Sequence, residues 1–306
     1  MVRIATRKSP LALWQARHVA QRLTALHPGL EVELITLMTQ GDRILDAPLA
    51  KIGGKGLFVK ELENGLLEGR ADLAVHSMKD VPAAFPAGLH LPVILEREDP
   101  RDALISSRHS GFKALPKRAR IGTSSLRRQT QLRQFFPEAE LCSLRGNVGT
   151  RLEKLEEQGL DAIILAAAGM IRLGLRAQIT EILSPEVSLP AVGQGAIGIE
   201  CREGDARIEA LISPLHHADT ADCVRAERAF NAALNGGCQV PIAGYAVLSD
   251  QELRLRGLVA DPDSDWLVKD GLSGPRDQAE ELGRQLAARL LKQGAAPVLA
   301  RILGEA

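Results

Sequence analysis

The chain has 306 residues, 45% of them hydrophobic and 25% charged, with a formal net charge of zero; this is the composition of an ordinary globular protein of about two or three domains. No apolar run approaches the roughly 20 residues a membrane-spanning helix needs, and the charged N-terminus has no apolar stretch behind it to make a secretory signal. A neutral chain with 3% aromatic residues also lacks the basic surface and stacking platforms of a nucleic-acid binder.

Residues 2–6 read as a short apolar strand. Ser9-Pro10 then supplies an N-cap with Pro at the first helical position, and a helical period runs to His27-Pro-Gly. Arg7 and Lys8 precede that helix start. Residues 31–37 alternate as a strand, and residues 38–56, with Asp42, Asp46, Pro48 and Lys51-Ile-Gly-Gly-Lys55-Gly56, read as a long loop. A helix over 57–67 follows. The strand at 71–76 delivers Ser77-Met-Lys79-Asp80-Val-Pro82 at its C-terminal end, where open α/β sheets bind ligands.

After Pro100 a second unit is centred on Ile121-Gly-Thr-Ser-Ser-Leu-Arg-Arg-Gln129, backed by Ser143-Leu-Arg-Gly-Asn-Val-Gly-Thr-Arg151. The first stretch reads as a strand end, a polar turn and a helix capped by Ser124 or Ser125. Arg127 and Arg128 fall in the first turn of that helix, where the macrodipole disfavours cations by about 0.3–1 kcal/mol each. Fold stability alone gives them no motive, and residues 117–151 hold eight Lys or Arg against two Glu. A pocket for a polyanion follows from that excess. Short echoes, Ile121-Gly-Thr123 of Ile4-Ala-Thr6 and Asp161-Ala-Ile-Ile-Leu165 of Asp72-Leu-Ala-Val75, favour two lobes of similar build.

Residues 184–195 read as a second crossing between the lobes, followed by a strand over 196–200. The last third changes character. A helix over 221–234 leads to Gly236-Gly-Cys238, then strands over 242–248, 253–259 and 266–272 and a long helix over about 276–293.

Several local patterns reduce to bland readings. Gly193-Gln-Gly195-Ala-Ile-Gly198 has dinucleotide-fingerprint spacing, but a strand rather than a helix follows it. His76 and Ser77, adjacent on a strand, point to opposite faces and make no hydrolase pair with Asp80; His76 reads as a core residue. His216-His217 reads as a helix-flank pair. The four cysteines (Cys142, Cys201, Cys223, Cys238) show no C-x-x-C and no paired His at ligand spacing, which argues against a disulfide framework and a zinc site and for a reducing cytoplasm. Asp80, beside Lys79, is a lone carboxylate suited to stabilising a cation and moving protons. Cys238, after two glycines, is a loop thiol suited to attachment or nucleophilic attack.

Together, His76–Pro82, Gly122–Arg128, Leu144–Arg151, Leu189–Gly195 and Gly236–Pro241 resemble the porphobilinogen deaminases (hydroxymethylbilane synthases) across nearly the whole chain. The resemblance implies an α/β fold of two type II periplasmic-binding-protein-like lobes joined by a double crossover near 96–100 and 190–195, plus a C-terminal α+β domain with a three-stranded antiparallel sheet. It implies domain 1 at 1–96 and 196–214, domain 2 at 97–195 and domain 3 at 215–306. The implied activity is a cytoplasmic transferase of tetrapyrrole biosynthesis, acting as a monomer. It condenses four porphobilinogen molecules, with loss of ammonia, into hydroxymethylbilane and passes that product to a downstream synthase. The implied cofactor is dipyrromethane, held by Cys238 through a thioether, with Asp80 as the catalytic carboxylate and no metal. Lys79, Asp80, Thr123, Ser124, Ser125, Arg127, Arg128, Arg145 and Gly146 are implied cofactor contacts. Arg7, Ser9, Ser77, Arg145, Arg151, Arg172 and Gln194 are implied substrate contacts, with Lys51, Lys55 and Phe58 on a mobile loop. Forked Arg–carboxylate pairs are the natural clamp for the acetate and propionate groups of such a chain. The competing reading is a two-lobed binder of a small polyanion without catalysis.

Overall fold

The computed structural model describes residues 1–43, 56–237 and 240–304. In chain order, the first strands are β1 (Val2–Arg7), β2 (Val32–Leu37), β3 (Leu73–Ser77) and β4 (Leu89–Ile94). They are followed by β5 (Asp102–Ile105), β6 (Arg120–Gly122), β7 (Glu140–Cys142), β8 (Ala162–Ala166) and β9 (Glu181–Ile182). The chain ends with β10 (Ile197–Arg202), β11 (Ile242–Ser249), β12 (Glu252–Ala260) and β13 (Leu267–Pro275). The helices are α1 (Pro10–Leu26), α2 (Gln40–Arg43), α3 (Lys60–Leu67), α4 (Leu126–Arg133), α5 (Val148–Glu157), α6 (Ala167–Arg172), α7 (Ala206–Ile212), α8 (Ala218–Ala233), α9 (Ala279–Leu290) and α10 (Ala296–Leu303).

The chain divides into two compact units. The described residues up to Glu98, together with Ala196–Ala221, form the first; Asp99–Gly195 and the described residues from Asp222 onward form the second. The chain therefore passes between units at 98–99 and 195–196, and again inside α8.

The first unit carries a five-stranded sheet in the order β2-β1-β3-β10-β4. β1 runs parallel to both β2 and β3, so β1 and β3 bring their C-terminal ends, Arg7 and Ser77, to one edge. β10 returns antiparallel to β3, pairing Ile197 with Ser77 and Cys201 with Leu73. Ser9 caps α1 as its sequence predicts, its Oγ accepting from Ala12 N at 3.3 Å. β10 directly follows the glycine pattern, so no helix start exists there to hold a dinucleotide. Gly198 instead makes room in the core: a Cβ on it would lie 2.3 Å from Met78 Sδ and 2.8 Å from a Leu91 methyl.

The second unit holds two sheets. One is five-stranded in the order β7-β6-β8-β5-β9, with β6 parallel to β7 and β8. The other is the three-stranded antiparallel sheet β11-β12-β13 expected near the C-terminus. Phe230 of α8 is fully buried there, and Cβ atoms on Gly244 and Gly257 would lie 3.0 and 2.5 Å from its ring. The helix predicted over 276–293 is shorter than expected. It ends at Leu290, and Gly294 at φ 107° breaks the helical course before α10. No helix among the described residues is long and apolar enough to cross a membrane.

Because the ring of Phe230 fills a saddle that two strand glycines leave open, its removal leaves a void that those residues cannot close. Phe230→Ala is expected to cost about 3–5 kcal/mol of stability, read from the denaturant midpoint. A change below about 1 kcal/mol would show that the saddle collapses instead.

Candidate active site

In the first unit the predicted residues gather where β1 and β3 end. Met78–Asp80 forms one tight turn directly after β3, with Met78 buried and Asp80 half-buried. The turn is pinned by Met78 N donating to Ala196 O at 3.0 Å and Val81 N to Met78 O at 3.3 Å. Lys79 beside it is exposed. Ser77 Oγ accepts from Gln15 Nε2 of α1 at 2.8 Å, which ties β3 to the helix that Ser9 caps. Arg7 Nε and Nη2 donate to Asp42 at 3.2 and 2.5 Å, and its guanidinium lies 4.3 Å from the centre of the Phe58 ring. Asp42, expected in an irregular loop, sits in the single turn of α2 and also accepts from Thr39 Oγ1 at 2.7 Å. Burial works to raise its carboxyl; the hydrogen bonds from Arg7 and Thr39 outweigh that and hold it below the usual carboxylate range.

His76 is a core residue, as its position predicts. It is buried and shares a 2.7 Å hydrogen bond between its Nε2 and Glu200 Oε2. Glu63 lies near this pair, and burial followed by the Glu200 charge raises its carboxyl above the ordinary value. His217 flanks α8 and accepts at Nδ1 from Thr220 N at 3.2 Å.

In the second unit, the turns after β6 and β7 are stitched together by Ser124. Its Oγ donates to Leu144 O at 3.0 Å and accepts from Leu144 N at 2.9 Å. That use decides between the two serines expected at the start of α4. Ser125 occupies the cap position instead, and its side chain makes no cap hydrogen bond. The start of α4 thus keeps main-chain N–H groups without a side-chain cap, the arrangement that receives carboxylates and phosphates. Thr123 is buried, its Oγ1 accepting from Ser125 N at 3.3 Å. Arg145 and Gly146 form the facing turn, where Arg151 Nε donates to Gly146 O at 2.8 Å and Lys154 Nζ to Arg145 O at 3.1 Å. Arg172, on α6 after β8, is buried with Nη2 donating to Gly195 O at 2.7 Å. An uncapped helix start among Arg145, Arg151 and Lys154 is a donor set that fits a polycarboxylate such as a dipyrromethane bearing acetate and propionate groups.

Arg127 and Arg128 do have a structural motive, and it is the residue that sequence reasoning missed. Both are buried against Asp102, which is itself fully buried at the start of β5. Arg127 reaches the two carboxylate oxygens at 2.9 and 3.2 Å and Leu189 O at 2.6 Å. Arg128 donates twice to Asp102 Oδ1, at 3.1 and 2.7 Å, and to Ile164 O at 3.0 Å. Ser188 Oγ and Gln194 Nε2 add donors to the same carboxylate at 2.7 and 2.9 Å. Burial opposes the charge on Asp102, but the two guanidinium groups overcome it and hold the carboxyl far below the usual range. The only local trace in the sequence is an acid opening the apolar run Asp102-Ala-Leu-Ile105. Lys51, Lys55 and Cys238 lie outside the described residues.

Asp102→Asn keeps the shape and removes the charge that two buried cations share, and is expected to cost about 3–5 kcal/mol at neutral pH. Because the folded-state carboxyl is depressed, the stabilisation is present above the ordinary carboxylate range and is lost as pH falls below it. Denaturant titrations of parent and variant across that range check both points. Equal stabilities at neutral pH would refute the network's role.

The chain matches the family model described as porphobilinogen deaminase, dipyromethane cofactor binding domain, over residues 2–210, and that of the porphobilinogen deaminase C-terminal domain over residues 221–292. Among solved structures it is similar to a putative methionine-binding lipoprotein from Bacillus subtilis, at 16% identity and TM-score 0.44 over 72% of this chain and 92% of that one. It is also similar to a periplasmic substrate-binding protein of an ABC transporter from Coxiella burnetii, at 15% identity and TM-score 0.43 over 74% and 97%. A nutrient binding protein from Burkholderia cenocepacia, bound to methionine, matches at 13% identity and TM-score 0.42 over 69% and 90%. With its cofactor-binding and C-terminal domains both matched, the chain belongs to the porphobilinogen deaminase family, the hydroxymethylbilane synthases, whose cofactor is dipyrromethane.

Proposed function

We propose that, in the conversion of porphobilinogen to hydroxymethylbilane, the first unit supplies the chemistry and the second most of the carboxylate recognition. Asp80 is the catalytic carboxylate. The observation that carries this assignment is its placement: half-buried, directly after a parallel strand, on the edge it shares with Arg7. That edge is where open α/β sheets bind ligands. Loss of ammonia from the aminomethyl group of the substrate leaves a delocalised cation. A fixed carboxylate stabilises that charge without having to reorganise, and it can take up and return the pyrrole protons as the next ring attacks. Lys79 beside it, with Ser77, Ser9 and Arg7, holds substrate carboxylates and keeps the reacting ring in register. Phe58 is stacked on Arg7, and we assign Lys51 and Lys55, close to it in sequence, to substrate binding as well.

In the second unit Thr123, Ser124, Ser125 and Gly146 present the start of α4 and the turn after β7 to the cofactor, with Arg145 adding charge. Arg151, Arg172 and Gln194 serve the growing chain. Arg127 and Arg128 each spend three of five N–H donors on Asp102 and a main-chain carbonyl. We assign the remaining donors to a cofactor carboxylate. When bound through a thioether to Cys238, dipyrromethane supplies the pyrrole end from which four substrate units are added. The functional division follows segments 1–96 with 196–214, 97–195 and 215–306. We place the enzyme in the cytoplasm as a monomer that hands its product to a downstream synthase.

Asp80→Asn is expected to retain substrate binding and lose about 10²–10⁴-fold in turnover, the usual worth of a positioned acid–base group. Turnover near the parent value would move the role elsewhere. Intact-mass spectrometry tests the tether: the parent should exceed the mass of the bare sequence, and Cys238→Ser should match its own. A parent at bare mass would overturn the attachment.

A further inference from the structure

The first unit holds a second constellation of ligating atoms that the condensation does not use. Cys201 of β10 and His90 of β4 are direct partners across an antiparallel pair, next to a register shift between Ile199 and Cys201. Such a bulge re-aims side chains. Glu209 of α7 reaches the same point: its Oε1 lies 3.0 Å from His90 Nε2, and Cys201 Sγ lies 3.4 Å from that same nitrogen. All three donor atoms fall within 4.8 Å of one another.

One imidazole nitrogen therefore meets two partners at once. Nε2 carries at most one proton, so by hydrogen bonding it serves the carboxylate and the weakly accepting sulfur together only by sharing that proton in a three-centre bond. A divalent cation satisfies all three groups at once. Tetrahedral zinc with N, O and S ligands at about 2.0–2.3 Å holds neighbouring donors roughly 3.3–3.6 Å apart, within a few tenths of an ångström of the 3.0 and 3.4 Å found about His90 Nε2. The imidazole and carboxylate are each about one-third exposed, with side-chain exposures of 34% and 35%, so an ion has a path from solvent. Cys201 itself is fully buried.

We propose that His90, Cys201 and Glu209 form a site for a soft divalent metal ion, with Zn²⁺ the best fit, whose fourth position is open to water. Binding forms a metal–sulfur bond and releases the thiol proton to the buffer. In the absence of an ion, burial and the neighbouring Glu209 and Asp205 push the thiol up to about 12. The site is structural rather than catalytic. On β3, Ser77 pairs with Ile197 and Leu73 with Cys201, which puts the thiol four residues, or about 13 Å, along the sheet from the strand end that carries Asp80. A bound ion would clip α7 to β10 and β4. The sequence hides it because its members are far apart in the chain and match no local ligand spacing.

Co²⁺ and Zn²⁺ titrations of the full-length holoenzyme decide the matter. The expected result is one equivalent of Co²⁺ bound with a near-ultraviolet thiolate-to-metal charge-transfer band, and a rise in Tm with Zn²⁺. Glu209→Gln, a partly exposed helical position, should still fold and should weaken metal binding by more than the 10–100-fold that outer-shell partners cost. His90→Gln should do the same, and Cys201→Ala should abolish the band. If the parent binds no metal, the proposal fails. It fails equally if Glu209→Gln and His90→Gln bind Co²⁺ as tightly as the parent, since the ion would then sit on another thiol.

Discussion

A single buried carboxylate sets the geometry of the second unit. Asp102 collects donors from Arg127, Arg128, Ser188 and Gln194. Withdrawing three ionised groups from water carries a desolvation cost of several kcal/mol per ion, which only a near-complete set of hydrogen bonds offsets. The arrangement is therefore selective as well as strong. Two cations share one anion, so the cluster keeps an excess positive charge directly behind the uncapped start of α4. The charge that sequence reasoning attributed to ligand demand is real, but it is held in place by a countercharge rather than left waiting for a substrate.

The same anion fixes more than the arginines. Through Ser188 and Gln194, and through the Leu189 carbonyl that receives both Arg127 and Gln131, it holds the segment leading to the passage between units. Glu227 extends the hold, its two oxygens accepting from Gly193 N and Ala246 N at 2.7 and 2.8 Å. The three-stranded sheet is thereby tied to the loop that ends in Gly195. The polar interior of this unit thus behaves as one connected frame.

Periodicity and turn chemistry carried most of the fold. Ser9-Pro10 marked a helix start, the glycine pattern before Ile197 was rightly kept from a dinucleotide role, and the alternation after residue 241 gave the antiparallel sheet. What local patterns could not show were pairings between distant residues. Asp102 lies 25 positions from Arg127, and nothing near it in sequence says that it is their partner. Ser124 and Ser125 suit a cap equally by type and position, and it is tertiary contact with Leu144, claiming the Ser124 hydroxyl, that leaves the cap position to Ser125. His90 and Cys201 face each other only because β10 runs back between β3 and β4. Hydrophobic period reports which face of an element is buried; it does not report which element lies opposite.

The seat of Met78 against Gly198 has a consequence for how finely Asp80 is held. The turn that carries the carboxylate is not a surface loop free to adjust; its first residue is a peg driven into the lobe's interior. The hole is a slot, open only where a glycine leaves the opposite strand bare, so an unbranched thioether slides in while a side chain forked at Cβ would strike the strand. The height of Asp80 above the sheet is thus a property of the hydrophobic interior, and repacking beneath the turn would move the carboxylate to which we assign the chemistry without altering its immediate neighbours.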